Sequence, residues 1–466
     1  MYTVEVKRII TLAFGLVFVL AACQPRTKDM PVVKKDHVTV AQMNEYCGSH
    51  IDSHVFQQSP FGLHAAGDSY NFAQDLNAHF IRKIVSWAEV EPRSKKYKFK
   101  DIDRHVNALQ KAGLDLVITL HLVSRWGVDV DYEKLATEKP ERSWTLFSGY
   151  PSHMDSWLTL VRKFVDRYDD DGKNDMPGLQ RPIRYWQIEN EVLWQWQGTP
   201  QQYLDMLAQT SRTIREADPQ AKIILGGLTD GLALAKADRG VSTEGQRKVI
   251  NVLEHVLREG APYFDIIDFH SYDDEPYGLA LQACWLREKM KKVGISKPIW
   301  SLENAGPFDD FTAARFAEHV VKRHIVGLAY GIDEFFWSSL NPTLGWSEQY
   351  LRLALLDRSR RKTPAYYSYK IMAHLLGSMK SLERLPSSAG ISAFKATLPD
   401  RDVYIVWSDN GEQEWSLALQ SDLVRVTHLI TEPGTTQPRI DEIRTIKGVL
   451  TIPVTTSPLF VESVAR

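Results

Sequence analysis

The chain has 466 residues and a formal net charge of −2, with 44% hydrophobic and 24% charged residues. This is the composition of an ordinary globular protein, long enough for one large barrel domain and a smaller second domain. The nearly balanced charge gives no reason to expect nucleic acid as a partner.

The N-terminus has the pattern of an export signal. A short basic region precedes the apolar run 9–22. This run is shorter than the roughly 20 residues of a membrane span. Its end forms the motif LAAC, which closes with Cys23. LAAC resembles the lipobox of bacterial lipoproteins, which implies a signal peptide over 1–22, lipidation of Cys23 and a polar tether over 23–57. We expect a protein of the bacterial cell envelope whose only membrane contact is this lipid anchor. The alternative is an ordinary secretory signal with an incidental cysteine.

Two more cysteines, Cys47 and Cys284, would remain in an oxidising compartment. The sequence alone cannot place their backbones close enough for a disulfide. Two buried free thiols are the favoured expectation, and a disulfide is the alternative.

Eight short apolar runs alternate with amphipathic helical patterns over residues 58–380. The runs begin at Phe61, Phe80, Leu114, Ile183, Ala221, Phe264, Lys297 and Ile332. Nearly continuous apolar strands separated by helices indicate a parallel sheet that is buried on both faces. Eight such units predict a (β/α)8 barrel of the TIM type, in the α/β class.

The pattern changes over residues 381–466, where short strands of alternating polarity are separated by Gly, Pro and Asn turns. This pattern predicts an antiparallel β-sandwich. The segment has no recognisable chemistry of its own, and we expect it to pack on the barrel as an accessory domain.

Polar and aromatic residues occupy the carboxyl ends of most predicted barrel strands. In parallel barrels these ends share one mouth, where active sites are built. In chain order the tip residues are Arg82, His121, Asn190, Glu191, His270, Tyr272, Glu303 and Trp337. Two carboxylates, several hydrogen-bond donors and aromatic rings should therefore converge on one mouth.

Glu191 and Glu303 follow the fourth and seventh predicted strands, on opposite sides of that mouth. Cleavage of a glycosidic bond needs one carboxylic acid that protonates the leaving oxygen and a second carboxylate that faces the anomeric carbon. The first requires a raised pKa and the second a low one. The pair therefore favours glycoside chemistry.

Several motifs strengthen this interpretation. They are SWAEVEP (Ser86–Pro92), IENE (Ile188–Glu191), HSY (His270–Tyr272), IWSLEN (Ile299–Asn304) and TSPLFVES (Thr456–Ser463). Together they resemble clan A glycoside hydrolases, which are retaining enzymes on a (β/α)8 barrel. The resemblance is closest to family 39 and weaker to families 5 and 42.

The resemblance implies roles for the residues at the centre of the mouth. Glu191 would be the general acid/base and Glu303 the nucleophile. Asn190 would bind the sugar 2-hydroxyl, Tyr272 would donate a hydrogen bond to Glu303, and Arg82 would keep Glu303 ionised.

The same resemblance implies sugar contacts around that centre. His121 and His270 would bind hydroxyl groups or orient their neighbours, and Trp337 would form the floor under the sugar being cleaved. Trp194 and Trp196 would line outer subsites, with packing inside their own loop as the alternative.

Four further acidic residues have structural interpretations. Glu189 is expected to pair with a cation between strand and helix. Asp169, Asp171 and Asp175 lie in DDDGKND, which has the look of a calcium loop, but Gln180 stands where such a loop has its closing Glu. A solvated acidic turn below the barrel is favoured over a structural calcium site.

The sequence lacks the common nucleotide, phosphate and metalloprotease motifs, so we expect no cofactor. The partner should be a carbohydrate. A retaining β-glycosidase is the favoured function, and three alternatives stay open: a carbohydrate-binding lipoprotein that has lost catalysis, a transglycosylase, and a metal-dependent barrel hydrolase. The sequence fixes neither the sugar, endo or exo action, nor the oligomeric state.

Overall fold

A computed structural model describes residues 38, 43, 46, 47, 53–64, 66–138, 147–273, 276–308, 311–342 and 348–463. The predicted signal peptide, Cys23 and most of the predicted tether lie outside these residues. In the part of the chain so described, no helix is both long and apolar enough to span a membrane.

The strands occupy two regions, first the barrel and then the C-terminal domain. They are β1 (His54–Val55), β2 (Phe61–His64), β3 (Phe80–Ser86), β4 (Asp115–His121), β5 (Tyr185–Glu191), β6 (Lys222–Gly227), β7 (Ile267–Tyr272), β8 (Ile299–Ala305), β9 (Glu334–Ser338), β10 (Ser381–Arg384), β11 (Ile391–Thr397), β12 (Asp402–Ser408), β13 (Gln413–Ala418), β14 (Leu423–His428), β15 (Ile440–Arg444), β16 (Val449–Val454) and β17 (Leu459–Ser463).

The helices connect the barrel strands and cover the outside of the sheet. They are α1 (Tyr70–Asp75), α2 (Trp87–Val90), α3 (Lys100–Lys111), α4 (Tyr132–Glu138), α5 (Met154–Tyr168), α6 (Pro200–Ala217), α7 (Gly231–Arg239), α8 (Glu244–Gly260), α9 (Pro276–Lys292), α10 (Ala313–Ala329), α11 (Glu348–Leu351) and α12 (Pro364–Leu376). Thr199 and Thr243 begin α6 and α8 as capping boxes, in which each hydroxyl accepts from the backbone of a Gln three residues on.

Strands β2 to β9 form an eight-stranded parallel sheet in the order β6-β5-β4-β3-β2-β9-β8-β7. Parallel bridges from Ile224 to Ile266 and from Leu228 to Phe269 join β6 to β7 and close the sheet. The predicted (β/α)8 barrel is confirmed.

Side chains that point into the barrel recur at every second residue, as strand geometry requires. The lower layer is apolar and contains Phe80, Val117, Ile224, Ile266, Trp300, Leu302 and Phe336. This layer fills the barrel interior, so the fold is a packed core with a mouth at one end.

The C-terminal strands form an antiparallel seven-stranded sheet, β1-β10-β11-β12-β17-β14-β15, and a two-stranded sheet, β13-β16. Apolar side chains such as Trp415, Val424 and Ile452 pack between the two sheets, which confirms the sandwich. Its other face contacts the barrel, where Tyr277 on α9 hydrogen-bonds Ser392 on β11.

Two expectations about the N-terminal segment need correction. His54 and Val55 were assigned to the tether, but they pair with β10 and belong to the C-terminal sheet. Cys47 and Cys284 are joined by a disulfide, so the favoured expectation of two free thiols is wrong. The bond attaches Cys47 to helix α9.

Candidate active site

A polar layer lies directly above the apolar layer of the barrel, two residues further along each strand. Arg82 Nε donates to Thr119 Oγ1 and to Gln187 Oε1, both at 3.0 Å. Gln187 Nε2 donates in turn to Asp268 Oδ2 at 2.6 Å. All four side chains are buried. Because its members are linked by hydrogen bonds, this layer is a fixed polar floor for the mouth.

Glu303, at the tip of β8, is fully buried and surrounded by donors. Arg82 and Tyr272 donate to its two different oxygens, and His270 Nδ1 lies 3.7 Å from Oε2. Burial alone would raise the pKa of this carboxyl, but the charges of His270 and Arg82 and the Tyr272 hydrogen bond hold the pKa well below its usual range. Glu303 is therefore a carboxylate at neutral pH.

Glu191, at the tip of β5, has the opposite character. Burial raises the pKa of Glu191, and the charge of Glu303 adds to the effect, while the hydrogen bond from His270 opposes it. His270 Nδ1 lies 2.8 Å from Oε1, and Gln195 Nε2 donates to Oε2 at 3.3 Å. One oxygen of Glu191, one oxygen of Glu303 and one ring nitrogen of His270 all lie within 4.8 Å of one another.

His270 connects the two glutamates to the polar floor. Its Nε2 lies 3.1 Å from Asp268 Oδ2. Burial alone would lower the pKa of His270, but Glu303, Asp268 and Glu191 together raise it to about 10. The ring is therefore an imidazolium near neutral pH. Gly227 makes room for it, because a Cβ there would lie 2.5 Å from His270 Nε2.

Each of the three strands that carry this site departs from regular register near its tip. The irregularities fall between Ile188 and Glu191 in β5, between Asp268 and His270 in β7, and after Ser301 in β8. Register irregularities of this kind re-aim side chains and are common next to active sites. They turn the two glutamates and the histidine toward one point.

Asn190 and Tyr272 also reach the glutamate pair. Asn190 Oδ1 accepts from Arg82 Nη2 at 2.5 Å, which fixes the amide beside Glu191. The Tyr272 ring lies 6.1 Å from the ring of Phe308 and 5.9 Å from that of Tyr350. These rings form an aromatic wall on the side of Tyr272.

His121 and Glu189 lie together, beside the central group. His121 Nε2 is 3.8 Å from Glu189 Oε2. Glu189 was expected to pair with a cation between strand and helix, but it accepts from Leu122 N at 2.6 Å and from the Ser148 hydroxyl. Its burial raises the pKa to about 7. Glu189 therefore joins strand β5 to two points of the segment between β4 and α5.

Trp337 is not in the mouth. Its ring lies 6.0 Å from that of Phe316 and 5.9 Å from that of His324, both on helix α10. Phe336 belongs to the barrel interior, so strand alternation points Trp337 outward and Ser338 inward. The expected aromatic floor beneath the sugar is wrong for this residue.

Trp194 and Trp196 are half-buried in the loop after β5. Trp194 packs at 5.7 Å from the Phe147 ring. Trp196 Nε1 donates to Thr199 O at 3.2 Å, and its ring lies 5.5 Å from that of Tyr203. Trp196 therefore packs against the start of α6.

Several residues of the site were missed from the sequence, among them His64, Gln187 and Asp268. His64 ends β2, and its Nε2 lies 3.9 Å from Glu303 Oε1; its place at a strand tip could have identified it. Gln187 and Asp268 lie inside runs that look apolar. Gln187 lies two residues before Glu189, and Asp268 lies two residues before His270. Because side chains two apart on a strand point to the same face, this spacing could have identified both residues.

The acidic turn lies at the end of the barrel opposite the mouth, where Asp169 follows α5. Oxygens of Asp169, Asp171 and Asp175 lie within 4.8 Å of one another. Asp175 accepts from the backbone of Asp170 and Gly172 at 3.1 and 2.8 Å, and burial raises the pKa of Asp169 to about 6. The turn is closed by its own backbone amides.

The fold is shared with solved glycosidases. A family 39 glycoside hydrolase from Bacteroides cellulosilyticus WH2 superposes with a TM-score of 0.63 at 15% identity, covering 87% of this chain and 81% of that one. A monomeric β-xylosidase from Caulobacter crescentus CB15 gives 0.60 at 13% identity, with 90% and 98% covered. A family 30 endoxylanase from Clostridium papyrosolvens C71 gives 0.60 at 13% identity, with 89% and 98% covered.

Neither a protein-family model nor a curated protein matches the sequence. At these identities the structural likeness establishes the fold alone, a (β/α)8 barrel with a C-terminal β-sandwich.

Proposed function

We propose that the protein is a retaining glycoside hydrolase that cleaves β-glycosidic bonds, with Glu303 as the nucleophile and Glu191 as the general acid/base. The observation that carries the proposal is the glutamate pair itself. Two buried carboxyl groups have oxygens within 4.8 Å of each other and pKa values moved in opposite directions. A retaining pair is separated by about 5–5.5 Å, whereas an inverting pair needs about 6.5–9.5 Å to admit a water molecule.

In the first step Glu191 gives its proton to the leaving oxygen while a Glu303 oxygen bonds to the anomeric carbon and the glycosidic bond breaks. In the second step Glu191 takes a proton from water, the water oxygen bonds to the anomeric carbon, and Glu303 leaves. Asn190, which Arg82 orients, would bind the sugar 2-hydroxyl. Tyr272 and Arg82 keep Glu303 ionised until it attacks.

The lipobox-like motif supports a further part of the proposal, that the protein acts at the bacterial cell envelope with Cys23 lipidated. Globomycin, which blocks lipoprotein signal cleavage, tests this part. Accumulation of the uncleaved precursor in treated cells supports lipidation, and unchanged processing contradicts it.

The alternatives differ in what they require of the same residues. A binding protein that has lost catalysis has no need of two facing carboxyl groups whose pKa values are moved in opposite directions, so these shifts favour an enzyme. A transglycosylase would use the same two glutamates but pass the glycosyl group to a sugar. Products formed with and without an added acceptor sugar distinguish it from a hydrolase.

The test is a screen of residues 24–466 against aryl β-glycosides and polysaccharides, with wild type and Glu303→Gln side by side. Aryl β-xylosides come first, because two structural neighbours are described as a β-xylosidase and an endoxylanase. Turnover that disappears in the variant supports the proposal. Saturable binding of a polysaccharide by both proteins without turnover would favour the binding protein instead.

A further inference from the structure

Two residues near the nucleophile each have a buried polar atom without a hydrogen-bond partner in the described part of the chain: His64 Nδ1 and Ser338 Oγ. His64 is 6% exposed and Ser338 is 1% exposed. They are paired residues on the adjacent strands β2 and β9, and paired residues of neighbouring strands point to the same face of a sheet. His64 Nε2 is 3.9 Å from Glu303 Oε1, so that shared face is the mouth.

An unpaired buried donor or acceptor costs about 1–3 kcal/mol, and such groups in native proteins call for an explanation. Two of them on adjoining strand tips, beside a catalytic carboxylate, indicate a ligand with polar groups. The position is also the one where an aromatic floor was expected. Because Trp337 points outward, this strand tip presents the Ser338 hydroxyl to the mouth instead of a ring.

We propose that His64 and Ser338 bind one hydroxyl group of the sugar at the cleavage position, and that this contact selects neutral sugars over uronic acids. The inference rests on the proposed function, because it assigns a contact in that same site.

The preference for a neutral group follows from the charges around the pair. A sugar carboxylate at this position would lie close to the ionised Glu303 and would be repelled by it. The nearby Arg82 already directs its donors to Glu303, Gln187, Asn190 and Thr119. Burial lowers the pKa of His64 to about 4, so its ring is neutral and can donate from one nitrogen and accept at the other.

Binding of methyl β-glycosides, measured by NMR titration or calorimetry, tests this contact without requiring turnover. The ligands are the best-bound parent glycoside, its monodeoxy analogues and the matching uronoside. The proteins are wild type, Ser338→Ala, His64→Asn and the matched control Ser416→Ala, which lies exposed on the sandwich. Thermal melting verifies that each variant is folded.

We expect Ser338→Ala to weaken binding of the parent glycoside by about 3- to 10-fold, the value of one hydrogen bond. One monodeoxy analogue should bind wild type about as weakly as the parent glycoside binds Ser338→Ala. The affinity for that analogue should not fall further in Ser338→Ala. His64→Asn should single out the same analogue, the control should bind like wild type, and the uronoside should bind wild type more weakly than the parent.

Three outcomes would count against the inference, each at a different level. If wild type binds no glycoside, the proposed function fails together with this contact. If wild type binds but Ser338→Ala loses nothing, or loses equally with every analogue, only the contact is overturned. If the uronoside binds more tightly than the parent, the selectivity for neutral sugars is overturned.

Discussion

The two ends of the barrel bury the same type of residue with opposite results. At the mouth, Glu303 is fully buried, and its pKa is held low by His270, Arg82 and Tyr272. At the bottom, Glu334 is 3% exposed and accepts one hydrogen bond, from Gln58 Nε2 at 2.7 Å. Its burial raises its pKa well above the usual range.

This difference teaches that burial alone raises the pKa of a carboxyl group. A buried nucleophile needs cations and donors arranged around it, and in this barrel they occur at the mouth. The lower end is instead filled by rings, with Phe80 lying 5.1 Å from Tyr185 and 5.5 Å from Trp300. The residues that stabilise the barrel therefore lie at its lower end and the reactive groups lie at its mouth. Substitutions at the lower end should reduce stability, and substitutions at the mouth should reduce activity.

The largest effect is expected when the same substitution is made at each end. Glu303→Gln should reduce kcat/KM on the order of 10⁴-fold or more, because an amide cannot act as the nucleophile. Glu334→Gln keeps the hydrogen-bonding shape and should stay within a few-fold of wild type. Steady-state kinetics on one aryl β-glycoside measures both. Equal losses of kcat/KM in the two variants would contradict the assignment of chemistry to the mouth alone.

Glu191→Gln should have an effect that depends on the leaving group. Loss of general acid catalysis should slow cleavage of a natural glycoside by about 10²–10⁴-fold. A nitrophenyl glycoside needs little protonation as it leaves, so its glycosylation step should be spared. Pre-steady-state kinetics on the two substrates checks this prediction. The same loss on both would argue against Glu191 as the acid.

Phe80→Ala tests the bottom of the barrel. Removing a buried ring from the apolar layer should lower the free energy of unfolding by about 3–5 kcal/mol. Phe80 lies two residues before Arg82 on β3, so kcat/KM per folded molecule should change far less than stability. Denaturant unfolding and kinetics on the same preparation measure the two quantities. Loss of activity without loss of stability would mean that the two ends are not separate.

His270→Gln should shift the pH profile rather than abolish activity outright. The imidazolium lowers the pKa of both Glu303 and Glu191. Without the imidazolium both pKa values rise, so both limbs of the pH profile move to higher pH. The acidic limb reports the ionisation of Glu303, and the basic limb reports the loss of the Glu191 proton. A shift of about one unit or more is expected in kcat/KM against pH. Unmoved limbs would show that His270 does not control the pair.

How much the sequence predicts depends on the range of the interactions involved. Glu191 and Glu303 could be placed because both end apolar strands, and parallel barrels bring all such ends to one mouth. Trp337 was misplaced because a shift of one residue along a strand reverses the face on which a side chain lies. The Cys47–Cys284 disulfide and the pairing of β1 with β10 join distant segments. No local pattern records such contacts.

The most direct test of the central claim is to trap the glycosyl-enzyme. Wild type would be incubated with an activated 2-deoxy-2-fluoro-β-glycoside of the sugar identified in the screen, digested, and examined by peptide mass spectrometry. The account predicts one added sugar on the peptide that contains Glu303, and no label on Glu303→Gln. A label on any other residue, or turnover that releases a product of inverted anomeric configuration, would contradict it.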